Sequence, residues 1–120
     1  MLTWNDYQNE VKADAIAAID DYGKDCKDFE DMYDSLWVDD SVTGNGSGSY
    51  YFNSANAADA VAGIIFDPDF IAELEGMGYD HVPVEDGAET VDVIARCVAL
   101  GLVSGELEDY FNKMRENSAA

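Results

Sequence analysis

Hydrophobic residues recur at steps of three and four along most of this chain, the period of an amphipathic helix. Trp4, Tyr7, Val11, Ala15, Ala18 and Tyr22 form the first such row, with Ile16 and Ile19 beside it. Asp6, Glu10 and Asp14 run down the other side. Thr3 stands where an N-cap belongs, and Asp6 follows three residues later in a capping-box position. A helix is therefore predicted over Thr3–Tyr22, ended by Gly23. Phe29, Met32, Tyr33, Leu36 and Trp37 make a sharper stripe and predict a second helix over Asp28–Val38, with Asp28, Glu30, Asp31 and Asp34 facing water. Glu30 and Asp34 are like charges four apart, which weakens an isolated helix, so packing or a cationic partner must offset them.

The helical pattern resumes at Ser54, a fitting N-cap for an Ala-rich helix through about Ile65. Asp67-Pro68 then supplies a cap followed by Pro at the first helical position. Phe70, Ile71, Leu74 and Met77 are expected to face inward from that helix, which ends near Gly76–Gly78. Tyr79–Gly87 reads as a loop carrying Pro83 and His81. Glu89–Leu102 is apolar on most sides and reads as the central buried helix. Asp92 and Arg96 are its clearly polar members, in the favourable acid-first order four apart. A last helix places Leu107, Tyr110, Phe111 and Met114 on one side, and Glu116–Ala120 is expected to fray. Gly44, Gly46 and Gly48 mark a turn around which Val42-Thr43 and Tyr50–Phe52 can pair. The predicted fold is one mainly α domain over residues 1–120, of five or six helices, with a small β-hairpin near residues 42–52 as its one β candidate.

Charge changes the functional picture more than the fold. Asp and Glu number 26 against 6 Lys and Arg, a formal net charge of −20, while 48% of residues are hydrophobic. That apolar fraction supports a folded core despite the charge. The charge itself argues against direct binding to nucleic acid through a basic surface, and against adhesion to anionic lipid. No apolar run approaches the ~18 residues needed to cross a bilayer. Met1–Asp6 has no basic region followed by an apolar stretch, so no secretory signal is expected and the cytoplasm of a bacterial host is the expected location. Cys26 and Cys97 form no C-x-x-C; one disulfide is open to them, but two buried thiols are the simpler reading.

Residues 1–40 hold 12 acids and 3 lysines, and no Lys or Arg occurs between Lys27 and Arg96. Three readings compete for this one-sided charge. It is a solubilising surface, or a docking surface for a strongly basic partner, or an adaptation to cations or high salt. In the second reading, acids spaced along helices present regularly spaced negative charge, as a duplex backbone does.

Reactive chemistry is poorly supported. Thr43–Gly48 has the glycines of a phosphate loop but not its G-K-[ST] ending, and Asp39, Asp40, Asn45 and Ser47 lack the spacing of a calcium loop. His81 reads as a surface loop residue, and Cys97 sits amid an apolar helix where inert burial is expected. One His and two scattered Cys make a weak zinc set. Carboxylate pairs are frequent enough here to arise by chance, and Trp4, Trp37, Tyr50 and Tyr51 read as core or core edge. No enzyme activity, cofactor or metal site is expected.

Trp37–Asn53 (WVDDSVTGNGSGSYYFN) and Val91–Gly101 (VDVIARCVALG) resemble a group of small acidic proteins encoded by bacterial phages and integrated mobile elements. The resemblance covers about a quarter of the chain and carries over no catalytic residues. It implies a setting in which small acidic proteins often inhibit host defence, including anti-CRISPR and anti-restriction proteins. The leading expectation is thus a non-enzymatic inhibitor whose acidic, DNA-mimicking surface occupies the cationic groove of a basic, nucleic-acid-binding host protein. Its surface would comprise Asp6, Glu10, Asp14, Asp28, Glu30, Asp31, Asp34, Asp39 and Asp40, with Tyr50 and Tyr51 as aromatic contacts. The alternative is a small accessory or structural interaction protein of a mobile element without an inhibitory role.

Overall fold

The computed structural model describes residues 2–39, 42–43 and 54–119. Within them lie six α-helices: α1 (Trp4–Tyr22), α2 (Phe29–Val38), α3 (Ser54–Val61), α4 (Pro68–Gly76), α5 (Ala88–Leu102) and α6 (Ser104–Ala119). No strand occurs among the described residues. The mainly α prediction therefore holds, while most of the predicted hairpin lies outside the described residues. Its described part, Val42-Thr43, is a buried turn instead. Both amides donate to the Asp39 carbonyl at 3.0 Å, and the Thr43 hydroxyl donates to the Trp37 carbonyl at 3.0 Å. Carbonyls left open at the end of α2 are satisfied in this way.

The N-terminal signals act as their chemistry dictates. Thr3 and Asp6 form the reciprocal capping box of α1, and Asp28 caps α2 by accepting from the Asp31 amide. Asp67 caps α4 by accepting from the Asp69 amide, and its second carboxylate oxygen accepts from the Trp4 amide at 2.9 Å. One side chain thus starts α4 and pins the first turn of α1 to it. α4 ends in a Schellman arrangement. Gly78 takes φ 97°, its amide donates to the Glu75 carbonyl, and the Tyr79 amide donates to the Leu74 carbonyl.

Helix α1 lies at the centre, packed on α5 and α6; α3 covers α5, and α2 leans on α1 and α6. Of the row predicted for α1, Trp4, Tyr7, Val11, Ala15 and Ala18 are buried, joined by Ile19, while Tyr22 is only half-buried; Trp4 meets the ring of Phe70 at 4.8 Å. Met32 and Leu36 bury the stripe of α2, and Leu107 and Phe111 that of α6. Gly23 ends α1 with helical φ −61°, so a left-handed cap is not its role. A Cβ there would come within 3.0 Å of Met114 Cε and 3.2 Å of Ile19 Cγ2. The glycine lets α2 and α6 approach the end of α1.

Four expectations need correction. The helix begun at Ser54 stops at Val61, and after Gly63 the chain continues as a short 3-10 turn, Ile64–Phe66. α6 is helical past Glu116, through Ala119. Met77 points outward and is 57% exposed, because α4 has ended at Gly76 before reaching it. α5 is not buried all round. Val91, Asp92, Ala95 and Ala99 face the core, while Val93, Ile94, Cys97 and Val98 are only half-buried on the other side.

Candidate functional site: acidic surface and apolar groove

The carboxylates predicted to bind a partner fall into separate local settings. Asp28, Glu30, Asp31 and Asp34 are brought together: with Lys27 they line one open depression of about 340 Å³ on α2. This happens because α2 buries its opposite stripe, so every acid of the helix is turned outward. Asp28 and Asp31 also hold the local backbone, since Asp31 accepts from the Lys27 amide at 2.9 Å.

On α1, Asp6 and Glu10 are exposed. Asp14 is not a free surface charge as expected. Its carboxylate accepts from Arg96 Nη1 at 3.2 Å, so the row is partly neutralised at its third member. Asp39 is half-buried and accepts from the Tyr22 hydroxyl at 2.8 Å; burial and that carboxylate push the Tyr22 phenol above its ordinary range. It too serves structure in place of an outward-facing charge. Asp40, Tyr50 and Tyr51 lie outside the described residues.

Several cations are engaged by the fold's own acids and carbonyls. Lys12 pairs with Glu106 at 3.0 Å, linking α1 to α6. Arg115 donates to the carbonyls of Cys26 and Lys27, both at 3.0 Å, which ties α6 to the turn before α2. Arg96 donates to Asp14 and to the Val42 carbonyl at 3.1 Å. These contacts pair three of the six cations with neighbouring carboxylates or carbonyls of the fold. Residues 28–95 contribute sixteen acids and no Lys or Arg.

Sequence reasoning missed a buried polar cluster. Asp92 is 2% exposed on the core face of α5. The Tyr7 hydroxyl donates to its carboxylate and lies 2.9 Å from its carbonyl oxygen; Arg96 Nε stands 3.7 Å away. The guanidinium also lies 5.9 Å from the Tyr7 ring centre. Burial raises the Asp92 carboxyl above the usual carboxylate range, opposed by the Tyr7 hydroxyl and the Arg96 charge. The Tyr7 phenol is raised in turn by burial and by the Asp92 charge, so it remains a donor. This arrangement is enclosed between α1 and α5 and orients three side chains against one another. The available signal was the Asp92–Arg96 pair, four apart in an otherwise apolar helix.

Also missed was an apolar groove of about 470 Å³ walled by the ends of α2 and α4 and by the outer side of α5. Trp37, Met77, Tyr79, Val93, Ile94, Cys97, Val98, Gly101 and Leu102 supply its surface, and Glu73 is its charged member. Cys97 is therefore half-buried in this wall, not sequestered as expected, whereas Cys26 is buried; neither forms a disulfide.

His81 is an exposed loop residue, as expected, and its Nε2 lies 2.8 Å from Glu85. The hydrogen bond that the ring donates to Glu85, with that residue's charge, raises the imidazole above its ordinary value. Among the described residues no group of three His, Cys, Asp or Glu is placed to hold a metal ion. No helix there is long and apolar enough to cross a membrane. No family model, curated protein or solved structure matches the chain.

Proposed function

We propose that this protein is a non-enzymatic inhibitor that docks on a basic, nucleic-acid-binding host protein and occupies the site its nucleic acid would use. The supporting observation is the α2 depression. Asp28, Glu30, Asp31 and Asp34 converge there beside Lys27, at the head of a stretch of sixteen acids without Lys or Arg. Such a surface raises the local concentration of a cationic partner and accelerates encounter. It also competes with a polyanion for the same groove, since both are recognised through Lys and Arg. The resemblance to mobile-element proteins supports a defence protein, of the CRISPR or restriction type, as the target.

The test is capture of proteins from a bacterial lysate at low and high salt, followed by a DNA-binding measurement on whatever is retained. Retention of a basic protein near 0.1 M salt, its release near 1 M, and loss of its DNA binding are expected, because screening shortens from ~10 Å to ~3 Å over that range. A variant with Glu30, Asp31 and Asp34 all changed to Lys should bind more than tenfold more weakly while melting as a folded protein. Equal binding by that variant refutes the proposal.

A further inference from the structure

Among the described residues, the groove between α2, α4 and α5 is a broad, mostly apolar depression of about 470 Å³. Met77 and Leu102 in its lining are 57% and 47% exposed. Contiguous apolar surface of this kind marks a contact site more often than a solvated face. Its floor runs along α5 at Ile94, Cys97 and Gly101, one helical stripe at i, i+3 and i+7, with Trp37 at the end of α2 and Met77 just past α4 beside it. A trough parallel to one helix and bounded by two others suits a further helix, whose own side chains would enter at the same spacing.

Charge decides among the occupants. A second copy of this chain would bring another −20 to the interface. The polar group at the groove edge is Glu73, and the nearest cation on α5, Arg96, is turned to the opposite side by Asp14 and Val42. Apolar walls with an acidic margin complement an amphipathic helix whose apolar face is flanked by Lys and Arg. We propose that this groove docks such a basic amphipathic helix, presented by the partner. This rests on the reading of the protein as a ligand of basic proteins, and it adds where the affinity is set: the acids steer, and the groove holds.

Cys97 provides a reporter, because an occupant must cover it. The probe is a synthetic 18-residue peptide with leucines on one helical face and lysines on the other. A scrambled isomer of identical composition and a Leu/Glu version serve as controls. Alkylation at Cys97 and Cys26 is followed separately by peptide mass mapping of the intact, folded chain. The Leu/Lys peptide should slow Cys97 at least fivefold and leave Cys26 unchanged; neither control should do so. Leu102→Glu and Met77→Glu, at exposed positions, should abolish the protection although they add negative charge. The proposal is overturned by equal protection from the scrambled isomer or by protection that survives Leu102→Glu. It is also overturned if Cys97 in the free chain is as slow as Cys26, or if it becomes slow with rising protein concentration, which identifies a second copy as the occupant. The triple Lys variant of α2 separates the two claims. Loss of lysate capture in that variant with Cys97 protection intact supports both, whereas capture that depends on α2 with no protection of Cys97 removes the groove alone.

Discussion

Removing one oxygen atom tests how the centre of this fold is held. Tyr7→Phe keeps the ring that packs against Trp4 and deletes the hydroxyl that donates to Asp92. The carboxylate is 2% exposed, so water cannot replace the lost donor without opening the α1–α5 interface. Depriving a buried charged acceptor of a partner costs about 1.5–3 kcal/mol, and Arg96 Nε at 3.7 Å can close in only part of the way. A loss of about 2 kcal/mol is expected, or a fall in Tm of about 6–10 °C for a domain of this size. Urea unfolding followed by circular dichroism measures it, with the slope of the transition unchanged. A double-mutant cycle with Asp92→Asn should show a coupling of about 1–2 kcal/mol, because the two groups are in direct contact. A Tyr7→Phe variant within about 0.5 kcal/mol of the parent, or additive single changes, would refute the reasoning.

Other expectations follow from the same geometry. The Asp92 carboxyl is raised in the folded state, so the folded chain binds its proton more tightly than the unfolded chain. The stability this contributes is present at low pH and is lost as pH climbs from about 4 through the folded value. The stability of Asp92→Asn relative to the parent should therefore improve from pH 4 to pH 7, and a difference that is flat with pH contradicts this. Asp67 behaves in the opposite sense: backbone amides of Trp4 and Asp69 lower its carboxyl, so its contribution is present above about pH 4 and lost on acidification. Asp67→Ala should lower Tm at neutral pH and less so near pH 2. The His81 imidazole, followed by NMR titration, should titrate above its ordinary value and fall back toward it in Glu85→Gln; an unchanged titration would show that the Glu85 contact is not formed in solution.

The interaction readings also rank the surface residues differently from their charge. Substituting Asp14 or Asp39 should disturb the fold, through Arg96 and Tyr22, before it disturbs binding. Substituting Glu30 or Asp34 should do the reverse. Melting and binding measured on the same four single variants distinguish the two groups.

What the sequence determined by itself is local. Helix periodicity, the Thr3–Asp6 capping box, the Asp28 and Asp67 caps and Pro68 act within a few residues, so their effect is readable from spacing alone. The outward acids of α2 were legible for the same reason, since the stripe of Phe29, Met32 and Leu36 leaves them one direction in which to point. Composition likewise set the sign of the net charge. Only the tertiary structure decided which charges remain available. Asp14 and Asp92 look like other acids in the chain, yet one is consumed by Arg96 and the other is buried under Tyr7, 85 residues away in sequence. It also decided that α5, apolar on most sides, is covered in part by α1 and α3 and lines a groove with the side that remains. Burial and pairing depend on contacts between distant segments, and a pattern with a period of three or four residues carries no record of which helix will arrive to make them.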